Sequence, residues 1–409
     1  MERYRGAWRL VFAALYLLSC VTSFSRIEFN CGVSSIDFSL CAFPWVLLKS
    51  KPKYIPHRLK SVPLVAERMH PFEMTRALID MESITENEKQ VGEYLLHYLS
   101  GLAAGSDGRA EAMPVTPERF NVYAEWGRPV VALSTHMDTV PPFIESREDE
   151  DHIYGRGACD AKGIIAAMIA AAEKLLETGT RNFALLFVVG EERNSAGADV
   201  ASRSPRGSRY LINGEPTESK VALGSKGILR YEIIATGKMA HSAYPELGES
   251  AIEKLLDALD AIRRIPLPED PILGRTTMNI GTISGGRAPN IIPDAAKAEL
   301  AIRLVGDGRK IDRVLRSAVG ARAEVREILE LPAMHFKSLD GFPTSVVSFT
   351  TDIPVLAPAW GEPFLFGPGS IHVAHTTEEK ISKRELLGAV ETYAYMTRIL
   401  LSRVEAHHA

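Results

Sequence analysis

The run FALLFVVG at residues 183–190 is apolar at every position up to its closing glycine. A strand half-covered by its core alternates apolar and polar residues, so an unbroken apolar run must be covered on both faces. PVVALSTH (129–136) has nearly the same character, and between the two lies AKGIIAAMIAAAEKLLETG (161–179), a small-residue-rich helix with a glycine stop. Strand, helix and strand in that order predict an α/β fold with a mainly parallel central sheet. PFEMTRALIDM (71–81) and ENEKQVGEYLLHYLSGL (86–102) carry apolar residues at helical spacing before it, and FNVYAEWG (120–127) reads as a further strand.

Past residue 226 the pattern changes. ILRYEIIATG alternates like a half-buried strand, GESAIEKLLDALDAIRRI is an amphipathic helix, and TTMNIGTISGG and AAKAELAIRLV are strands. GRKIDRVLRSAVGA and AEVREILEL then add a helix and a strand. β-α-β-β-α-β is the order of a ferredoxin-like α+β unit. TSVVSFTTDIPVLAPAW and the helix KRELLGAVETYAYMTRILLSRV read as a return to the first domain. The expected organisation is an N-terminal extension over 1–68, a catalytic domain over 69–225 and 338–409, and an inserted domain over 226–337.

The extension differs in kind. Arg3, Arg5 and Arg9 precede LVFAALYLL, a nine-residue apolar run that ends before Ser19 and Cys20. That length suits a signal-peptide core better than a membrane span. It reads either as an export or tethering segment, loosely like a lipobox at Cys20, or as sequence upstream of a natural start at Met69. A cytoplasmic location is expected on the second reading, and membrane contact only on the first. A net charge of −4 gives no electrostatic case for nucleic acid, and four cysteines without a CxxC pair suggest neither a disulfide scaffold nor structural zinc.

Polar clusters sit where the strands end: His136 and Asp138 in STHMDTVP, Asp160 in GRGACDAKG, Glu191 and Glu192 in VVGEER, and Glu215 in LINGEPT. His372 and His375 follow in HVAHTTEE. Ligands of open α/β sheets bind at the carboxyl ends of strands, and imidazole with carboxylate suits a catalytic divalent metal. Taken singly, each residue has a plainer reading: a strand-end histidine, an aspartate helix cap, a turn before Pro216, two solvated histidines. Glu191 and Glu192, adjacent at a strand end, are expected to face opposite ways and so to hold separate jobs. GRGACD lacks the third glycine of a dinucleotide fingerprint.

These segments, with GKMAHSAYPELGESAI (237–252), SGGRAPNIIPDAA (284–296) and GPGSIHVAHTTEE (367–379), resemble in order and spacing the M20 metallopeptidases. The likeness is strongest to the acetylornithine deacetylase/succinyl-diaminopimelate desuccinylase group and spans about residues 71–403. It implies a zinc-peptidase-like catalytic domain interrupted by a lid that also dimerises, with two Zn2+ per subunit, or Co2+ or Mn2+ in their place. His136 and Glu215 would hold one metal, Glu192 and His375 the other, and Asp160 both. Asp138 would orient His136, and Glu191 would be the general base. His241, commonly from the partner subunit, would reach the scissile carbonyl, and Asn290 and Arg303 would bind substrate. Thr351 and Asp352 resemble a loop near the substrate, and His372 receives no role.

The activity implied is removal of an N-acyl group from an amino acid of the ornithine or diaminopimelate kind, in amino-acid biosynthesis. A dipeptidase or aminoacylase of the same superfamily is the near alternative. A non-catalytic binding protein tethered at Cys20 is the alternative of another class.

Overall fold

The computed structural model describes residues 68–405, so the expectations for the N-terminal extension, Cys20 included, lie outside the described residues. Helices α1 (Pro71–Ile79) and α2 (Lys89–Ala104) precede a hairpin of β1 (Arg109–Thr116) and β2 (Arg119–Trp126). β3 (Val131–His136), α3 (Lys162–Glu177), β4 (Phe183–Val188), α4 (Ala196–Ser202), β5 (Tyr210–Asn213) and β6 (Val221–Ser225) follow. Next come β7 (Gly227–Thr236), α5 (Ala251–Arg263), β8 (Thr277–Gly285), β9 (Ala295–Leu304), α6 (Gly308–Val319) and β10 (Glu324–Leu331). β11 (Met334–His335), β12 (Thr344–Val347), α7 (Ile353–Trp360), β13 (Glu362–Leu365) and α8 (Lys383–Glu405) close the chain.

The larger sheet runs β1-β2-β4-β3-β5-β13-β6-β11, with β12 also on β6. Its centre is parallel, β4 to β3, β3 to β5 and β5 to β13. The flanks correct the expectation of a mainly parallel sheet. β1 pairs antiparallel with β2, β2 with β4, and β6 with both β13 and β11. The β1–β2 pair is antiparallel because its connection is too short for the crossover a parallel pair requires, while β12 runs parallel to β6. β1 is an edge strand whose register breaks at Pro114, a residue that cannot donate to a ladder.

The unbroken apolar run of β4 has the expected cause. Phe183, Leu185 and Phe187 join a core formed with α1, α2, α3 and α8, while Ala184, Leu186 and Val188 enter a second core with α4 and α7 on the opposite face. The second sheet runs β8-β9-β7-β10, all antiparallel, and packs Leu229, Tyr231 and Ile233 against Leu255 and Leu259 of α5 and Ile311 and Leu315 of α6.

Glu173 of α3 is only 7% exposed and accepts a hydrogen bond from the Tyr98 hydroxyl of α2 at 2.7 Å. Burial pushes its carboxyl up, and the Tyr98 bond only partly offsets this. The folded chain therefore holds this proton more tightly than the unfolded chain, so stability falls as pH rises through that window. Glu173→Gln keeps an acceptor for Tyr98 and is expected to raise Tm by a few degrees at neutral pH. The gain should vanish as pH falls below about 4, where the carboxyl becomes protonated in both states. Thermal melts across that pH range check this.

Candidate metal centre and active site

Parallel pairing brings the carboxyl ends of β4, β3, β5 and β13 to one edge of the sheet, and the polar clusters collect there. His136 closes β3 opposite Val188 of β4, and Glu215 stands two residues beyond the end of β5. Asp160 lies just ahead of α3, but the cap position belongs to Ala161 and no side chain caps the helix, so Asp160 is not an N-cap. Gly367 lets the β13 segment approach Glu215 closely, since a Cβ there would lie 2.3 Å from the Glu215 carbonyl oxygen. His375 adopts φ +63°, a left-handed conformation that is costly for a residue with a Cβ and is retained chiefly at functional positions.

His136, Asp160 and Glu192 offer ligand atoms that all lie within 4.8 Å of one another. The His136 Nε2 is 2.9 Å from Asp160 Oδ1 and 4.0 Å from Glu215 Oε2. The His375 Nε2 is 3.0 Å from Glu192 Oε1 and 3.3 Å from the other Asp160 oxygen. Asp160 thus spans the two histidines, one through each oxygen. Its contact with Asp160 and then Glu192 raises the His375 imidazole to about 10. Glu215 is pushed well above the usual carboxylate range, first by burial, and its Oε1 is buried without a hydrogen-bond partner among the described residues. Converging imidazole and carboxylate groups with an orphaned buried oxygen fit divalent cations. His136, Asp160, Glu192, Glu215 and His375 are the residues placed to hold them. The buried Cys159 thiol faces the Ser370 carbonyl and Glu379.

The adjacent glutamates are presented differently from what strand alternation predicts. β4 ends at Val188, and Glu191 and Glu192 lie on a turn that Gly190 opens at φ +81°. Both of their amides donate to the Asp138 carboxylate, at 3.1 and 3.2 Å, and Thr85 Oγ1 adds a third bond at 2.8 Å. Asp138 accordingly grips the glutamate turn, while the His136 ring is fixed by the Asp138 main-chain carbonyl, 3.0 Å from Nδ1. The carboxylate itself is 3.6 Å from that nitrogen, beyond hydrogen-bond range. Beneath the turn, Arg119 makes a buried two-pronged pair with Glu88 at 2.6 and 2.7 Å. Burial and then Glu215 push the Glu191 carboxyl well above its ordinary value.

Glu379 belongs to the quoted segment HVAHTTEE but carried no role. Its carboxylate is 1% exposed and accepts from Arg156 Nη1 at 2.6 Å, the Gly157 amide at 2.9 Å and the Asp160 amide at 3.3 Å. It ties the segment bearing His375 to the loop bearing Asp160. Glu379→Gln is expected to fold yet bind metal about 10- to 100-fold more weakly, as loss of a ligand-orienting partner does. Glu379→Ala strands a buried guanidinium as well and should cost about 3–5 kcal/mol of stability. Metal titration and denaturant unfolding separate the two effects.

His241 and Asn290 lie apart from this cluster. His241 is exposed, and its side-chain contacts are local: its Nδ1 accepts from the Ala243 amide at 3.1 Å and its ring meets Tyr244 edge-on. Asn290 adjoins it, its carbonyl accepting from the Ser242 amide at 3.0 Å. Arg303, at the end of β9, is half-buried with no side-chain hydrogen bond or ion pair among the described residues, and burial lowers its pKa. It lines a cavity of about 340 Å³ together with Pro216 and Thr217, next to Glu215, and with Ile371 and His372, ahead of His375. The Thr351–Asp352 pair is buried close by, with the Ser195 side chain beside the Asp352 carboxylate. Burial foremost raises that carboxyl to about 6.

The profile of Peptidase family M20/M25/M40 matches residues 132–398. The chain belongs to the M20 peptidase family and is a hydrolase. A probable carboxypeptidase of Aspergillus oryzae is 37% identical over 377 residues, covering 80% of this chain and 87% of the relative. A peptidase M20 domain-containing protein of Schizosaccharomyces pombe is 38% identical over 332 residues, 78% of this chain and 82% of the relative. Among solved structures, aminopeptidase PepT of Bacillus cereus shares the fold at TM-score 0.66 and 22% identity, over 80% of this chain and 97% of that one. A Bacillus subtilis protein described as a dinuclear metal binding peptidase from the M20 family aligns at TM-score 0.60 and 16% identity, over 81% and 98%. The family is dinuclear and metal-dependent.

Proposed function

We propose that the chain is a metal-dependent carboxypeptidase or dipeptidase that releases the C-terminal residue of a short peptide. The observation that carries this reading is Arg303. A half-buried guanidinium with no side-chain partner among the described residues, lining a cavity that begins one residue from Glu215, suits a substrate's free carboxylate through its planar fork. The Aspergillus oryzae relative, named a probable carboxypeptidase, favours the same reading. Acetylornithine or succinyl-diaminopimelate deacylation finds no support in the relatives' names.

On this reading His136 and Glu215 would hold one metal, Glu192 and His375 the other, and Asp160 both; zinc is the metal proposed. Divalent ions held there would supply Lewis-acid polarisation of the scissile carbonyl and a lowered pKa for water. Glu191 would take the proton of the attacking water and return it to the leaving amine, as a carboxylate held within hydrogen-bond reach can. Asp138 keeps Glu191 in place by holding the amides of the turn. Residues 226–337 act as a lid between 69–225 and 338–409. His241, exposed on that lid, serves the site of a partner subunit in a homodimer and donates to the developing oxyanion. Asn290 assists beside it.

A panel of N-acetylornithine, N-succinyl-diaminopimelate and dipeptides with and without C-terminal amides tests the reading. Release of amino acid only from free-carboxylate peptides supports it. Turnover confined to the acyl-amino acids overturns it.

A further inference from the structure

We propose that the cavity beside Arg303 selects peptides ending in an uncharged apolar residue such as leucine or phenylalanine. The inference rests on the carboxypeptidase reading and adds which C-terminal side chain is taken.

The lining comes from four distant stretches, 216–218, 303, 345–349 and 371–372. Val347 is buried, and Val346, Phe349 and Ile371 are half-buried with apolar surface turned to the cavity. At about 340 Å³ the space exceeds what a carboxylate and a methyl group would fill, so a small C-terminal residue leaves the apolar walls uncovered. The charges of the lining point the same way. Arg303 is the lining's arginine, no lysine lines the cavity, and the α-carboxylate takes Arg303. An acidic side chain would then face Glu218 without a second guanidinium or ammonium to meet it. A basic side chain would find Glu218 already engaged by Lys220 Nζ at 3.1 Å and the Ser370 hydroxyl at 3.2 Å. His372 also lines the cavity, is exposed and makes no side-chain hydrogen bond or ion pair among the described residues. It is the group that would receive a second carboxylate if the proposal were wrong.

The experiment uses the full chain loaded with zinc and a dipeptide series with one N-terminal residue and C-terminal Ala, Leu, Phe, Lys or Glu. The kcat/KM for the Leu and Phe peptides is expected to exceed that for Ala, Lys and Glu by about 10-fold or more. Phe349→Ala and, separately, Ile371→Ala should compress the Leu-to-Ala ratio toward one. Two further results overturn the proposal while leaving the carboxypeptidase reading intact. One is equal turnover across the series. The other is a preference for the Glu peptide that His372→Gln abolishes. No turnover of any free-carboxylate peptide overturns both.

Discussion

Glu191→Gln is expected to keep its full complement of metal and to lose about 10²–10⁴-fold in kcat. Glutamine is isosteric and leaves the turn intact, because Asp138 holds that turn through the backbone amides of Glu191 and Glu192. What it removes is the group that accepts a proton. The neighbouring Glu192→Gln should behave differently, losing metal along with activity, since Glu192 lies in the ligand cluster 3.0 Å from the His375 Nε2. Metal analysis beside steady-state kinetics separates the two variants. Metal loss from Glu191→Gln with metal retained in Glu192→Gln would mean that the roles are exchanged.

The second large effect is expected at Arg303. Arg303→Ala should lower kcat/KM for free-carboxylate peptides by about 30- to 1,000-fold, the range for removing one partner of a desolvated, hydrogen-bonded charge pair. Discrimination between a peptide and its C-terminal amide should collapse in that variant. Arg303→Lys keeps the charge but loses the planar fork and should recover only part of the loss. An unchanged carboxylate-to-amide ratio in Arg303→Ala would remove Arg303 from substrate recognition.

Much of the site was legible because the fold presents it at strand ends. The apolar runs 129–136 and 183–190 mark buried central strands, and the acids and histidines that follow them converge through the parallel pairing of β4, β3, β5 and β13. What escaped had weak local signal. β1 is an edge strand, largely exposed and interrupted by Pro114, so it lacks the pattern of a buried strand. The small sheet of Arg147–Glu148, His152–Tyr154 and Lys380–Ser382 joins pieces too short and polar to read. Strand alternation accounted wrongly for the paired glutamates. They sit on a turn, and the decisive feature is an aspartate more than fifty residues earlier that holds both amides. Glu379 and the cavity walls depend on contacts between distant segments, which no local spacing encodes.

The most direct test of the account is quantitation of the amino acid released from a leucine-ended dipeptide, its C-terminal amide and N-acetylornithine, before chelation, after it and after zinc is restored. Leucine release is expected from the free-carboxylate dipeptide alone, lost on chelation and regained with zinc. Chelator-resistant release, or faster turnover of the amide or of N-acetylornithine, would contradict it.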